Sequence, residues 1–394
     1  MAKVRHFFKD PVRIAIIVAV TAALAFLLLY RLGSLAKGAS LAEVHAAISP
    51  VGWHGIYHDA LYLPIKLVRS VDFFIFRQHG QALTRLPSVF FGLLALGSFT
   101  WLVKLWYGNR VAVMSGILFA CSAWFLHVSR IATFDVLYLW ALPSLLLGNT
   151  LLQRYSKRVS VYYANVILWG LLLYIPGIIW ILVINGFLQR SAIAKGWRNL
   201  GRWWQRALLI LLGLVWLPLL IANLVQAHVW KSWIGLPAHL ASPFMLIKHF
   251  IGVFVHLFIR GPEYPQIWLG RAPVLDIFTL ALCVIGIFFY ARHIEVARAR
   301  TLFIFSLVSA VLIALEGPVG FSLLVPLAYI FAATGLAYLL REWLHVFPVN
   351  PLARNLGIGL ICVAIALSCV YNLRAYFIAW PNAAMTKTVF RYHI

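Results

Sequence analysis

Long apolar runs alternate along this chain with shorter polar stretches, and the polar stretches differ in charge from one to the next. A membrane-crossing helix needs about 20 predominantly apolar residues. The runs at 14–30, 86–106, 111–128, 133–152, 207–225, 273–290, 301–315, 320–340 and 356–371 each read as one crossing. Residues 159–189 are too long for a single crossing. Their flanks, QRYSKR before and QRSAIAKGWRNLGRWWQR after, are both basic and both favour the cytoplasm. A hairpin of two short helices, broken at Pro176-Gly177, satisfies both ends. The pattern therefore predicts eleven spans, with the N-terminus cytoplasmic and the C-terminus outside.

Three polar segments are predicted on the outer side: a first loop at 31–81, a second at 226–272 and a tail at 372–394. Within the second lies FMLIKHFIGVFVHLFIR at 244–260. Lys248, His249, His256 and Arg260 fall within about 120° of one another at helical spacing, the signature of an amphipathic helix lying at the interface. Were this segment to cross instead, the basic stretch RHIEVARAR at 292–300 would be placed outside, against the charge rule.

Composition agrees with the pattern. The 394 residues are 63% hydrophobic and 11% charged, with a mean hydropathy of +0.91. A soluble globular chain has roughly 25% charged residues. The reading is an all-α polytopic integral membrane protein, of about 11 transmembrane helices, with large outer loops carrying short amphipathic helices. Residues 1–394 form one integral domain, and the localisation expected is a prokaryotic plasma (inner) membrane. The net charge of +23 belongs to loops facing anionic lipid, and no basic run stands free of apolar flanks as a nucleic-acid tail would. Cys121, Cys283, Cys362 and Cys369 all lie in apolar runs, without metal-site or disulfide spacing. The first apolar run lacks a small-residue cleavage site and reads as an uncleaved helix.

Topology distributes the acids unevenly. Glu43, Asp59, Asp72, Asp135, Glu263, Asp276 and Glu316 fall outside, against Asp10, Glu295 and Glu342 inside. Glu43 follows Ser40 at the S-x-x-E spacing of a capping box, and could equally serve as a general base held at the membrane surface. His54, His58 and Asp59 cluster in HGIYHDALYLP, as solvated loop residues or as contacts for a phosphate. Arg85 opens the second span, and Arg130 and Asp135 flank the start of the fourth. Asp135 could be a helix-dipole partner or an ion pair with Arg130. Arg85, Arg130, Lys66 and Arg69 suit a lipid phosphate or pyrophosphate, or anchor helices at the interface. The Trp- and His-rich second loop reads as an aromatic belt or as a surface for sugar stacking.

Several stretches in order carry a family resemblance: ALYLPIKLV; Arg85-Leu86-Pro87-Ser88 leading to Gly92-Leu93-Leu94; WYGNR at 106–110; SAWFLHVSR at 122–130; and ATFD at 132–135. In this order they resemble the GT-C superfamily of polytopic glycosyltransferases, in particular its protein-mannosyltransferase-like and aminoarabinose-transferase-like branch. The resemblance is best over 10–180. It implies an inverting transferase that moves a sugar from a polyprenyl-phosphate-linked donor to a protein, lipid or glycan acceptor at the outer membrane face. On that reading Glu43 is the general base. Arg85 and Arg130 contact the donor phosphate, with Lys66 and His58 as further candidates, and Asp135 orients Arg130. A divalent metal is compatible with the family. Two departures stand out: Ala42 precedes Glu43 where relatives often carry a second acid, and GPVGFSLLVP lacks the arginine found before the corresponding helix. The alternative reading is a non-catalytic membrane protein, either a lipid-linked-sugar transporter or a degenerate GT-C subunit.

Overall fold

The computed structural model describes residues 11–48, 59–76, 80–226 and 229–392. The first apolar run forms α1 (Pro11–Leu29), followed by two short helices of the first loop, α2 (Leu41–Ile48) and α3 (Leu63–Phe76). The next spans are α4 (Gln81–Tyr107), α5 (Asn109–Cys121) with α6 (Ala123–Arg130), and α7 (Asp135–Arg154). After them come α8 (Val159–Leu172), α9 (Ile178–Leu188), α10 (Arg190–Arg198), α11 (Trp203–Gly213) and α12 (Leu217–Val225). The second loop holds α13 (Val229–Trp233) and α14 (Pro243–Phe258). The chain finishes with α15 (Ile277–Arg292), α16 (Ala297–Ala314), α17 (Val325–Val346) and α18 (Pro351–Arg374), then α19 (Trp380–Asn382) and α20 (Ala384–Val389).

Among the described residues, six helices are long and apolar enough to cross a membrane, or eight if two sharply bent pairs each count as one span. Three shorter apolar helices, Val159–Leu172, Pro243–Phe258 and Ile277–Arg292, stand beside them, and the expected eleven is not confirmed. The run at 111–128 is not one rod. It breaks at Ser122, whose extended backbone ends α5 and whose Oγ accepts from the Phe125 N–H at 3.2 Å to start α6, and the two axes differ by 63°. The run at 159–189 does divide as its flanks require. Pro176 cannot donate to a continuing helix, and Gly177 takes φ +76°, a conformation glycine adopts without strain.

One hydrophobic core runs from Leu28 to Phe390. Its tightest seams are made by glycines, because helices in lipid associate by close backbone approach. A Cβ on Gly286 of α15 would fall 1.9 Å from Phe331 O, and one on Gly335 of α17 would fall 2.0 Å from Leu282 O. At Gly92 of α4 a Cβ would meet Ser129 Cβ at 2.5 Å, so this glycine lets α6 rest on α4. All eight residues of α6 are buried. The C-terminal tail turns back over the same end of the bundle. Tyr376 and Trp380 bury against His127 of α6, and Tyr392 bridges Ala39 in the only β contact among the described residues. The site end therefore gathers the first loop, the start of α4, the junction of α6 with α7, and the tail.

Candidate functional site

Glu43 lies at the centre of this gathering. The capping box is made: Glu43 N–H donates to Ser40 Oγ at 3.3 Å, and Ser40 N–H donates to Glu43 Oε2 at 3.0 Å. The same carboxylate also receives Arg85 in a fork, Nε to Oε1 at 2.8 Å and Nη2 to Oε2 at 3.0 Å, and the Ala132 N–H at 3.0 Å. Arg85 also donates Nη1 to Leu32 O at 2.6 Å and Nη2 to Gly38 O at 3.1 Å. Glu43 is 1% exposed and Arg85 3%. Four N–H donors thus reach the carboxylate. Arg85 ties α4 to the first loop, with four of its five N–H donors committed there.

Arg130 and Asp135 do not pair, contrary to the expectation from their closeness in sequence. The chain leaves helical geometry at Ile131 and re-enters it at Asp135, which sends the two side chains apart. Arg130 lies over the rings of Tyr376 at 5.1 Å and Phe377 at 5.0 Å and donates through Nη2 to Tyr30 O. Its Nε and Nη1 have no hydrogen-bond partner, although the residue is only 2% exposed. Lys66 donates to Asp59 at both Oδ2 (2.7 Å) and the backbone O (2.8 Å). Burial lowers its pKa, with Asp59 opposing. Arg69, one turn on, sits 5.7 Å from the Phe134 ring centroid; burial pushes its guanidinium down to about 10, so it is cationic at neutral pH. His54 and His58 lie outside the described residues.

Asp135 instead faces a cavity of about 470 Å³. Lys248, His249 and His256 of α14 line the same cavity. Helical spacing in the sequence predicts this basic stripe at the membrane interface; in the fold three of its residues line the cavity. Glu316, 3.4 Å from His249, Tyr264, Gln266 and Ser322 add to the polar lining. Burial raises the Tyr264 phenol, and the negative charges of Glu316 and Asp135 add to the shift. Gly320 makes the space beside the carboxylate, since a Cβ there would meet Asp135 Oδ1 at 2.4 Å. The wall is held by Trp124 Nε1, which donates to Ser322 Oγ at 3.1 Å. Trp268 of the second loop, expected as belt or sugar platform, is buried against Trp124 and His127. Among the described residues no group of three or more His, Cys, Asp or Glu side chains converges as a metal's donor set would.

A cavity lined by Asp135, Glu316, Lys248, His249 and His256, and a first loop clamped by an Arg–Glu fork, belong to an all-helical bundle that is a polytopic membrane protein of the GT-C fold. Solved structures with this fold include ArnT from Cupriavidus metallidurans in the apo state. The two chains are 14% identical, with a TM-score of 0.57, over 96% of this chain and 77% of that one. The same ArnT bound to undecaprenyl phosphate gives 13% identity and a TM-score of 0.55, covering 94% and 76%. The Archaeoglobus fulgidus oligosaccharyltransferase tethered with an acceptor peptide containing the NVT sequon is 14% identical, with a TM-score of 0.51. That match takes in 97% of this chain, which spans 56% of the oligosaccharyltransferase. No protein-family profile and no curated protein matches the sequence.

Proposed function

We propose that this protein is a membrane glycosyltransferase that moves a sugar from a polyprenyl-phosphate donor to an acceptor hydroxyl at the outer face, and that the cavity beside Asp135 is where transfer occurs. The acceptor oxygen bonds to the anomeric carbon as the bond from that carbon to the phosphate oxygen breaks. The electron pair leaves with the polyprenyl phosphate. Asp135 takes the acceptor proton, and Lys248, His249 and His256 hold the departing phosphate charge. Glu43 and Arg85 are positioning residues on this reading: they fix the first loop against Ala132, three residues before Asp135. Support for the donor class comes from the polyprenyl phosphates in the two neighbours, undecaprenyl phosphate in ArnT and a dolichol-phosphate in AglB from Archaeoglobus fulgidus.

The observation that carries the proposal is that the carboxylate of Asp135 and three basic side chains line one cavity. Its test is sugar release from a polyprenyl-phosphate-linked donor by the reconstituted protein. Asp135→Asn keeps the shape but not the base, and should lower turnover by roughly 10²–10⁴-fold. Equal turnover by the variant removes Asp135 from the chemistry. The four N–H donors on Glu43 also favour one other reading, a GT-C chain that has lost catalysis; folded wild-type protein that consumes no polyprenyl-phosphate sugar would establish it.

A further inference from the structure

A second cavity lies at the other end of the bundle. It holds about 310 Å³ between α5, α17 and α18. Its apolar wall is built at helical spacing, from Val111 and Met114 on α5 and from Leu340 and Leu344 on α17. Val111 and Leu340 are buried. Its charged part is two arginines, Arg110 and Arg341, both solvent-exposed. Among the described residues neither has an ion-pair or hydrogen-bond partner, and no carboxylate lines the cavity.

The level of this cavity in the membrane follows from helix length. Arg85 is near the start of α4, a helix of 27 residues, and Arg110 comes just past its end. At 1.5 Å per residue α4 spans about 40 Å, enough to cross a hydrocarbon layer of about 30 Å. Arg341 likewise lies towards the far end of α17 from the Asp135 cavity. The two arginines therefore sit at headgroup depth on the face opposite the transfer site, and the buried apolar wall lies between them and the core of the bundle.

From this arrangement we infer a specific site for an anionic phospholipid. The headgroup phosphate engages Arg110 and Arg341, and an acyl chain lies along Val111, Met114, Leu340 and Leu344. Guanidinium groups suit phosphate because they present parallel N–H donors. A soluble anion would leave the apolar wall in contact with water, and a zwitterionic lipid would bring a cation against two arginines. The anionic lipid satisfies both halves of the cavity, as basic pockets between membrane helices do elsewhere.

The test uses the full chain in nanodiscs of phosphatidylcholine doped with phosphatidylglycerol. Bound lipid is read by native mass spectrometry and stability by thermal unfolding. The wild type should retain phosphatidylglycerol in preference to phosphatidylcholine and unfold at a higher temperature with it. The exposed pair Arg110→Gln/Arg341→Gln should lose on the order of 30-fold in relative retention, from the usual contribution of two basic side chains at a lipid surface. Arg110→Lys/Arg341→Lys, which keeps the charge, should recover part of it. Removing two arginines elsewhere on that face, Arg300→Gln/Arg354→Gln, should leave retention near the wild-type value. The inference is overturned if this control pair loses as much as the cavity pair, if the cavity pair retains lipid like the wild type, or if inorganic phosphate alone reproduces the stabilisation.

Discussion

Replacing Arg85 by methionine tests the clamp on which the site rests. The substitution keeps much of the apolar stem but removes the guanidinium. Glu43, 1% exposed, would keep only the Ser40 and Ala132 N–H groups as partners, and the Leu32 and Gly38 carbonyls would each lose a donor. Leaving one member of a buried ion pair without the other typically costs about 3–5 kcal/mol. The orphaned carbonyls act in the same direction. The assay is equilibrium unfolding in mixed micelles, run as a double-mutant cycle with Glu43→Gln. Each single variant should be strongly destabilised, and the double variant should lose less than the sum by about 2 kcal/mol, because no unpaired charge remains in it. A cost under about 1 kcal/mol for Arg85→Met, with no coupling to Glu43, would refute the argument, since an interaction of this geometry and burial falls well above the range of exposed pairs.

Other consequences are equally specific. Gly320→Ala should misplace the Asp135 carboxylate by way of the 2.4 Å contact and lower turnover roughly 10²-fold with little change in stability, measured by donor consumption. Gly286→Ala should destabilise by about 1–3 kcal/mol or more through overpacking against Phe331 O, whereas Gly359→Ala, with open space around it, should be neutral or gain up to about 1 kcal/mol. For Lys66, burial holds the folded pKa below the ordinary 10.5, so between the two values the unfolded chain binds more protons. Stability should therefore rise with pH across that window, and Lys66→Met should remove the rise in a pH series of unfolding curves.

What the sequence made legible follows from the range of the forces involved. Long apolar runs announce α4, α7 and α16 because lipid demands uninterrupted apolar length. The break at 173–177 was legible because Pro176 and Gly177 act on their own backbone. The bend at Ser122 was not, since CSAWFLH continues the apolar pattern and hides the local cap by which Ser122 ends α5 and starts α6. Glu43 was visible as an acid with a local cap, but its partner Arg85 is 42 residues away and only the folded first loop brings them together. Arg130 and Asp135 misled for the opposite reason: five residues suggest contact, and the reversal at 131–134 denies it. The basic stripe of α14 was plain from its spacing, whereas the direction it faces depends on α16 and the 316–322 turn across from it.

The most direct measurement is the position of a polyprenyl phosphate bound to this protein, determined from a structure of the complex. The phosphate is expected in the cavity beside Asp135, within hydrogen-bonding distance of at least one of Lys248, His249 and His256. A phosphate seated instead on Arg130 or Lys66, away from Asp135, would contradict it.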